Sequence, residues 1–179
     1  MSQSTDAALA ADVEAILRDV PDFPEPGIVF KDFTPLLADP LLSARVVADV
    51  ATRHRDRVDA IAGIEARGFL YGAVLAHTLA VPFVPIRKVG KLPRHTHRVD
   101  YDLEYGSATL EMHRDAVHPG QRVLVVDDVL ATGGTGAATV ELLRRAESVV
   151  VAFEVILEIT ALQGRAALPD ITVQSLLQA

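Results

Sequence analysis

One stretch constrains this chain more than any other: VLVVDDVLATGGTG, Val123 to Gly136. Val123-Leu124-Val125-Val126 has no polar interruption, which suits a central strand buried on both faces, the kind that parallel sheets carry. The run ends in two adjacent carboxylates, Asp127 and Asp128, and a loop of small residues follows before a helix over about 135–146. In open α/β sheets, ligands gather beyond the carboxyl ends of the strands. The glycines let backbone N–H groups approach an anion closely. Thr132 and Thr135 add hydroxyl donors, and the helix N-terminus adds a favourable dipole. The loop is therefore expected to hold a phosphate. The ionised acids only accept hydrogen bonds, so they call for hydroxyl donors nearby. A ribose 5-phosphate meets both demands, with its phosphate on the loop and its 2- and 3-hydroxyls on the acids.

Other readings of the stretch fit less well. A P-loop needs a lysine after its glycines, and none follows here. A dinucleotide fingerprint comes nearer, since Gly134-Thr135-Gly136 supplies G-x-G and Glu154 stands 20 residues beyond Gly134. Thr139, however, occupies the place of the third glycine, and two acids at the strand end would repel a pyrophosphate lying over that turn. An ordinary strand-to-helix connection explains the glycines alone. It does not explain an apolar strand, an acid pair and A-T-G-G-T together.

The flanking sequence reads as α/β with a mainly parallel sheet. Leu9, Val13, Ile16, Leu17 and Val20 share one face of a helix over about 7–20, with Asp6 as its N-cap. Three prolines and a glycine between Pro21 and Gly27 make a rigid irregular loop. Asp39-Pro40 opens a helix to about Arg55. Apolar runs at 58–65 and 81–86 read as strands on either side of a helix over 68–79. Residues 87–101, carrying Arg87, Lys88, Lys91, Arg94 and Arg98, read as a basic mobile loop. A strand over 103–112 suits one side of a hairpin-like flap, followed by a turn at Pro119-Gly120. A strand over 149–156, a helix around 161–168 and a strand around 171–176 complete the chain. With 179 residues and no linker or repeat, one domain is expected.

Composition narrows the function classes. The net charge of −7 argues against a duplex-binding protein, while leaving room for a basic pocket around a small phosphorylated ligand. The absence of cysteine excludes disulfides, thiolate zinc sites and a cysteine nucleophile, and is compatible with a reducing cytoplasm. No apolar run approaches the roughly 18 residues of a membrane span, and the first residues show no secretory signal. No membrane and no nucleic acid are expected as partners. His95 and His97, in H-x-H spacing, and the scattered His54, His77, His113 and His118 read as surface or helix histidines rather than zinc ligands.

VLVVDDVLATGGTG resembles the motif with which type I phosphoribosyltransferases bind 5-phospho-α-D-ribose 1-diphosphate (PRPP). PDFPEPGIVFKDFTPLL (Pro21 to Leu37) is similar to the base-binding region of the adenine-using members. GIEARGFLYG (Gly63 to Gly72) resembles their pyrophosphate loop, and RKVGKLP (Arg87 to Pro93) with YDLEYG (Tyr101 to Gly106) their catalytic flap. ELLRRA and LEITALQGR complete a match from about Asp12 to Leu177. The resemblance implies a mainly parallel central sheet flanked by helices, a flexible flap over about 87–106 and a small N-terminal base-binding hood over about 1–35. It implies conversion of adenine and PRPP to AMP and pyrophosphate in purine salvage, by a cytoplasmic homodimer. Mg2+ would arrive with PRPP, held by the ligand and water, with no protein metal ligand.

Carried over residue by residue, the resemblance puts Asp127 and Asp128 on the ribose hydroxyls. Ala131, Thr132, Gly133, Gly134 and Thr135 fall on the 5-phosphate, and the catalytic Arg67 on the pyrophosphate, with a cis peptide just before it. Arg87, Lys88 and Lys91 would neutralise the leaving pyrophosphate, some of them reaching the neighbouring subunit's site. Glu104 matches the general acid/base facing N7 of adenine. Phe30 would stack on the purine with Ile159 opposite, while backbone groups of Val29 and Lys31 read its Watson–Crick edge. The chain departs from the common pattern at Arg94 (usually Gly), Ile159 (often Leu), Lys31 (more familiar as Arg) and Glu65-Ala66 (often Asp-Ser). A hypoxanthine/guanine or xanthine enzyme, or a non-catalytic PRPP-binding regulator, is the alternative. The Pro21 to Lys31 segment favours adenine, and the intact flap favours catalysis.

Overall fold

Helical segments alternating with apolar runs give five α-helices and ten strands in the computed structural model, counted among the residues it describes, 6–23, 25–27, 29–102 and 107–179. The chain falls into two compact units, Met1–Arg53 and His54–Ala179.

In the first unit, α1 spans Ala7–Ile16. Asp6 caps it, its Oδ1 accepting from the N–H groups of Ala8 (2.9 Å) and Leu9 (3.3 Å). The helix stops at Ile16 rather than Val20, because Arg18–Pro21 forms strand β1. Val20 precedes a proline, a position that disfavours helical backbone. β1 pairs antiparallel with β2 (Val29–Asp32), a strand with no clear sequence signal. Next come α2 (Thr34–Ala38), also unanticipated, and α3 (Pro40–His54). The Asp39-Pro40 signal holds: Asp39 Oδ1 accepts from the N–H groups of Leu41 (3.0 Å) and Leu42 (2.9 Å).

The second unit contains β3 (Ala60–Ile64), α4 (Arg67–Leu79), β4 (Phe83–Lys88), β5 (Thr96–Asp102), β6 (Ser107–His113), β7 (Arg122–Val126), β8 (Val129–Leu130), α5 (Gly134–Arg145), β9 (Val149–Glu158) and β10 (Val173–Gln178). They form a sheet in the order β10-β9-β7-β3-β4-β6-β5, with β8 paired to β9. All pairs from β10 to β4 are parallel, and only β6 and β5 run antiparallel. β3 and the Val123–Val126 run are wholly buried, as a central strand requires. α4 lies against β3 because Gly63 and Gly72 leave room for the Phe83 ring; β-carbons there would stand 2.6 and 2.9 Å from it.

Two expectations give way. The segment 87–101 is mostly strand: Arg87 and Lys88 end β4, and β5 pairs with β6 along its whole length. The charges of Thr96–Asp102 hid a strand in which Val99 is buried. The helix around 161–168 is instead two short 3-10 turns, Thr160–Leu162 and Gly164–Ala167. Gln163 between them sits at φ +51°, outside right-handed helical backbone.

Candidate active site

The carboxyl ends of β3, β4, β7 and β9 lie along one edge of the parallel part of the sheet. The segments that follow them bring together most of the expected residues. Glu65 to Arg67 follow β3, Arg87 and Lys88 end β4, Asp127 and Asp128 follow β7, and Ile159 follows β9.

The acid pair is fixed from behind by β9. The N–H of Asp127 donates to the Glu154 carbonyl (3.0 Å), and the carbonyl of Asp128 accepts from Ile156 and Leu157 (3.0 Å each). Oδ1 of Asp127 accepts from the N–H of Asp128 (2.9 Å). The Asp128 side chain is buried, with its Oδ2 2.5 Å from Nε of Arg67, whose own side chain stays 46% exposed. Asp127 is half-buried. Burial first, then the neighbouring Asp128 charge, raise its carboxyl well above the usual carboxylate range. Gly68 makes the arrangement possible: a β-carbon there would stand 2.6 Å from the Val126 carbonyl oxygen and 3.1 Å from Asp127 Oδ1.

The loop Ala131 to Gly133 leads into α5 through Gly133, at φ +85°. A β-carbon at Gly133 would collide with the Gly164 carbonyl, and one at Gly164 with the Ala131 carbonyl, so two backbones touch where only glycine fits. Thr135 Oγ1 lies 3.4 Å from the Tyr101 hydroxyl. Thr139 is fully buried and donates to the Thr135 carbonyl (2.9 Å). The Gly164 segment is tied down by Arg165, whose Nε and Nη2 reach the two oxygens of buried Glu158, each at 2.6 Å. Arg165 holds that carboxyl below its usual range. The sequence reading missed this clamp; an arginine seven residues after a strand-end glutamate is its only trace.

On the β4 side, Nε and Nη2 of Arg87 bond the two oxygens of Glu65 at 3.1 and 3.0 Å, and Nη1 donates to the Lys91 carbonyl (3.0 Å). Lys88 N–H also donates to Glu65 (3.1 Å). Arg87 thus engages its own chain, and it holds the Glu65 carboxyl below its usual range. The cis peptide lies between Glu65 and Ala66, one bond earlier than the resemblance implied. The Lys88 and Lys91 side chains are exposed.

The base-binding candidates fall in separate units. Val29, Phe30 and Lys31 are on β2. Phe30 meets Phe23 edge-on at 5.2 Å, and Lys31 Nζ lies 2.5 Å from Asp19 Oδ1, its partner across the hairpin. Ile159 belongs to the second unit, its N–H donating to the Leu130 carbonyl (2.9 Å). Glu104 lies outside the described residues. His54, expected as a surface or helix histidine, ends α3 but is buried, its Nε2 2.6 Å from Oε1 of buried Glu154.

Residues 37–175 match the family model of the phosphoribosyl transferase domain. The adenine phosphoribosyltransferase of Thermobifida fusca is 52% identical over 92% of this chain and 94% of its own length. The chain belongs to the adenine phosphoribosyltransferase family. The enzyme of that name from Acidothermus cellulolyticus is 54% identical over 93% of this chain and 94% of that one. Among solved structures, the family member from Thermoanaerobacter pseudethanolicus superposes with a TM-score of 0.92 at 44% identity, covering 95% of this chain and 99% of that one. The Saccharomyces cerevisiae enzyme, solved with an imino-altritol bisphosphate and adenine, gives a TM-score of 0.92 at 37% identity over 96% of this chain and 100% of that one.

Proposed function

We infer that this protein converts adenine and PRPP to AMP and pyrophosphate, the reaction of the pentosyltransferase class EC 2.4.2.7. The observation that carries the reading is the acid pair at the end of β7, half-buried Asp127 and buried Asp128, with Arg67 beside Asp128 and, after the short strand β8, a glycine turn opening α5. Ribose hydroxyls supply the donors that the acids lack, and the turn from Ala131 to Thr135 offers N–H and hydroxyl donors to the 5-phosphate. As the C1–oxygen bond breaks, its electron pair leaves with pyrophosphate and C1 gains cationic character. The fixed acids stabilise that charge. Arg67, Arg87, Lys88 and Lys91 bind the departing anion. The N9 lone pair forms the new C1–N bond, and the proton lost from adenine is handled by Glu104.

The base reading assigns Phe30 and Ile159 to the purine faces and the backbone of Val29 and Lys31 to its edge. The Lys31 side chain is engaged by Asp19, which suits recognition through backbone rather than side chain. The hood over about 1–35 and the flap over about 87–106 are read as parts of one transferase domain. Mg2+ fits the donor set in a limited way. The ion would be held by PRPP oxygens and water, with the acid pair offering hard oxygens nearby. When bound, it would neutralise charge on the pyrophosphate. A cytoplasmic homodimer is supported by the lack of cysteine and by Leu70 and Val74, one turn apart on α4 and about half exposed. No helix among the described residues is long and apolar enough to cross a membrane.

The deciding experiment follows nucleotide formation from PRPP with adenine, hypoxanthine, guanine and xanthine. Adenine and hypoxanthine present opposite donors and acceptors at N1 and position 6. Each buried mismatch costs about 1–3 kcal/mol, so two should favour adenine by roughly 10²-fold or more. Glu104→Gln should lower turnover by about 10²–10⁴-fold while calorimetric PRPP affinity stays within about threefold. Equal use of hypoxanthine refutes the adenine pocket, and unchanged turnover in the variant removes Glu104 from the chemistry.

A further inference from the structure

Glu111 is fully buried in the middle of β6, between Leu110 and Met112. A carboxylate in such a place needs donors, and packing alone would favour an apolar side chain. Its Oε1 accepts from the N–H groups of Lys91 and Leu92, both at 2.9 Å. Its Oε2 accepts from Thr96 Oγ1 (3.2 Å) and lies 3.4 Å from Arg98 Nε. In the ladder, Glu111 stands opposite Arg87 on one side and Arg98 on the other. These donors outweigh the burial and hold the carboxyl below its usual range.

The consequence falls on Lys91. Its N–H is held by Glu111, and its carbonyl by Nη1 of Arg87, whose guanidinium is itself fixed by Glu65. Two carboxylates, one buried and one at the end of β3, therefore set the turn between β4 and β5 before any ligand arrives. A turn without that inner support must be ordered by the ligand, and the ordering is subtracted from affinity.

We propose that Glu111 is a positioning residue for phosphoribosyl transfer: by fixing the backbone of Lys91 and Leu92 it presents Arg87 and Lys91 to the substrate's diphosphate as a preformed pair. The proposal rests on PRPP being the substrate. Glu111→Gln keeps the shape, but its NH2 group must face either the two amides or Thr96 and Arg98, so part of the set is lost in either orientation.

The variant should raise the KM for PRPP and the Kd for inorganic pyrophosphate, titrated calorimetrically, by about tenfold, a factor worth ~1.4 kcal/mol. The KM for adenine and kcat should stay within about twofold. Amide exchange at Lys91 and Leu92 should accelerate. A merely structural role would instead lower kcat through a smaller active fraction, leave the PRPP KM unchanged and accelerate exchange throughout β5 and β6. That outcome, or an unchanged PRPP KM in a folded variant, overturns the proposal. If Glu111→Gln does not fold, Thr96→Val removes one donor without leaving a carboxylate bare, and should raise the PRPP KM about threefold; no rise overturns the proposal. A wild-type protein that forms no AMP refutes the proposed function instead. The pyrophosphate titration and the exchange at Lys91 and Leu92 then decide the role of Glu111 on their own.

Discussion

Gly68 offers the sharpest test of how the fold builds the site. It is the second residue of α4, directly after Arg67, and it lies against the end of β7. A β-carbon there would stand 2.6 Å from the Val126 carbonyl oxygen, where ordinary contact begins near 3.4 Å, so the helix start must retreat by about 0.8 Å. The obstacle is backbone in the middle of a buried sheet, which cannot swing aside. Arg67 moves with the helix start, away from the carboxylate it meets at 2.5 Å. A misplacement of about 1 Å can cost roughly 10²-fold in rate. Gly68→Ala should therefore lower kcat/KM by about 10- to 100-fold, or ~1.4–2.7 kcal/mol of transition-state stabilisation. The control is Gly72→Ala, one turn on, where the new carbon comes too close only to the Phe83 ring, at 2.9 Å, and meets Gly63 and Ile61 at ordinary contact distances. It should leave kcat/KM within about twofold, whatever it does to stability. Steady-state kinetics on both variants, with thermal unfolding to confirm folding, provide the comparison. Equal kinetic losses in the two variants, or none at Gly68→Ala, would refute the reasoning.

Two further perturbations follow from strain and charge. Asp127→Asn should stabilise the folded chain while abolishing turnover. Burial and Asp128 raise the Asp127 carboxyl in the folded state, so its ionisation disfavours folding above the unfolded value of about 3.9 and fully so above the raised folded value. The gain from Asn should be absent below pH ~3.9, grow with pH and then level off in urea unfolding measured across pH; a pH-independent effect contradicts the assignment. Arg94 sits at φ +69°, left-handed backbone that favours glycine, with an exposed Asp115 partner at 2.7 Å. Left-handed backbone costs a side chain about 1–2 kcal/mol, and solvent screening leaves an exposed pair little to return, so Arg94→Gly should be neutral or raise stability by up to about 1 kcal/mol in chemical unfolding. A loss of more than ~1 kcal/mol would show that the ion pair dominates.

The legible parts of the sequence were those where one short-range rule acts alone. The Val123–Val126 run could only be a buried strand, and Asp6 and Asp39 announce helix starts that their carboxylates do cap. The helix expected through Val20 failed because apolar spacing cannot register hairpin partners that lie outside a helical turn, Phe30 for Val20 and Asp32 for Arg18; β1 exists only through its ladder with β2. The turns around Gln163 were invisible for a similar reason, since they are held by Glu158 and Arg165 and by backbone contact with the phosphate-loop candidate. Buried carboxylates were the least legible. Periodicity assigns a charge to solvent, yet Glu111, Glu154 and Glu158 are all buried, and each is satisfied by partners that only the folded sheet supplies.

Those buried acids change how the candidate site must bind an anion. A pocket for a diphosphate could attract its ligand with bare positive charge, but here the arginines are already engaged: Arg67 with Asp128, Arg87 with Glu65, Arg98 with Glu111. Local charge is close to balanced and the whole chain carries −7, so long-range steering of an anion is weak. Affinity must come instead from donors held in the right directions, with the carboxylates acting as the frame that holds them. The same acids then serve two ends of one ligand. In the proposed mechanism Asp127 and Asp128 would accept from hydroxyls at the sugar, while Glu65 and Glu111 would keep the cations in register for the leaving phosphates. Orientation rather than charge density makes a chain with an acidic balance suitable for binding a highly anionic substrate.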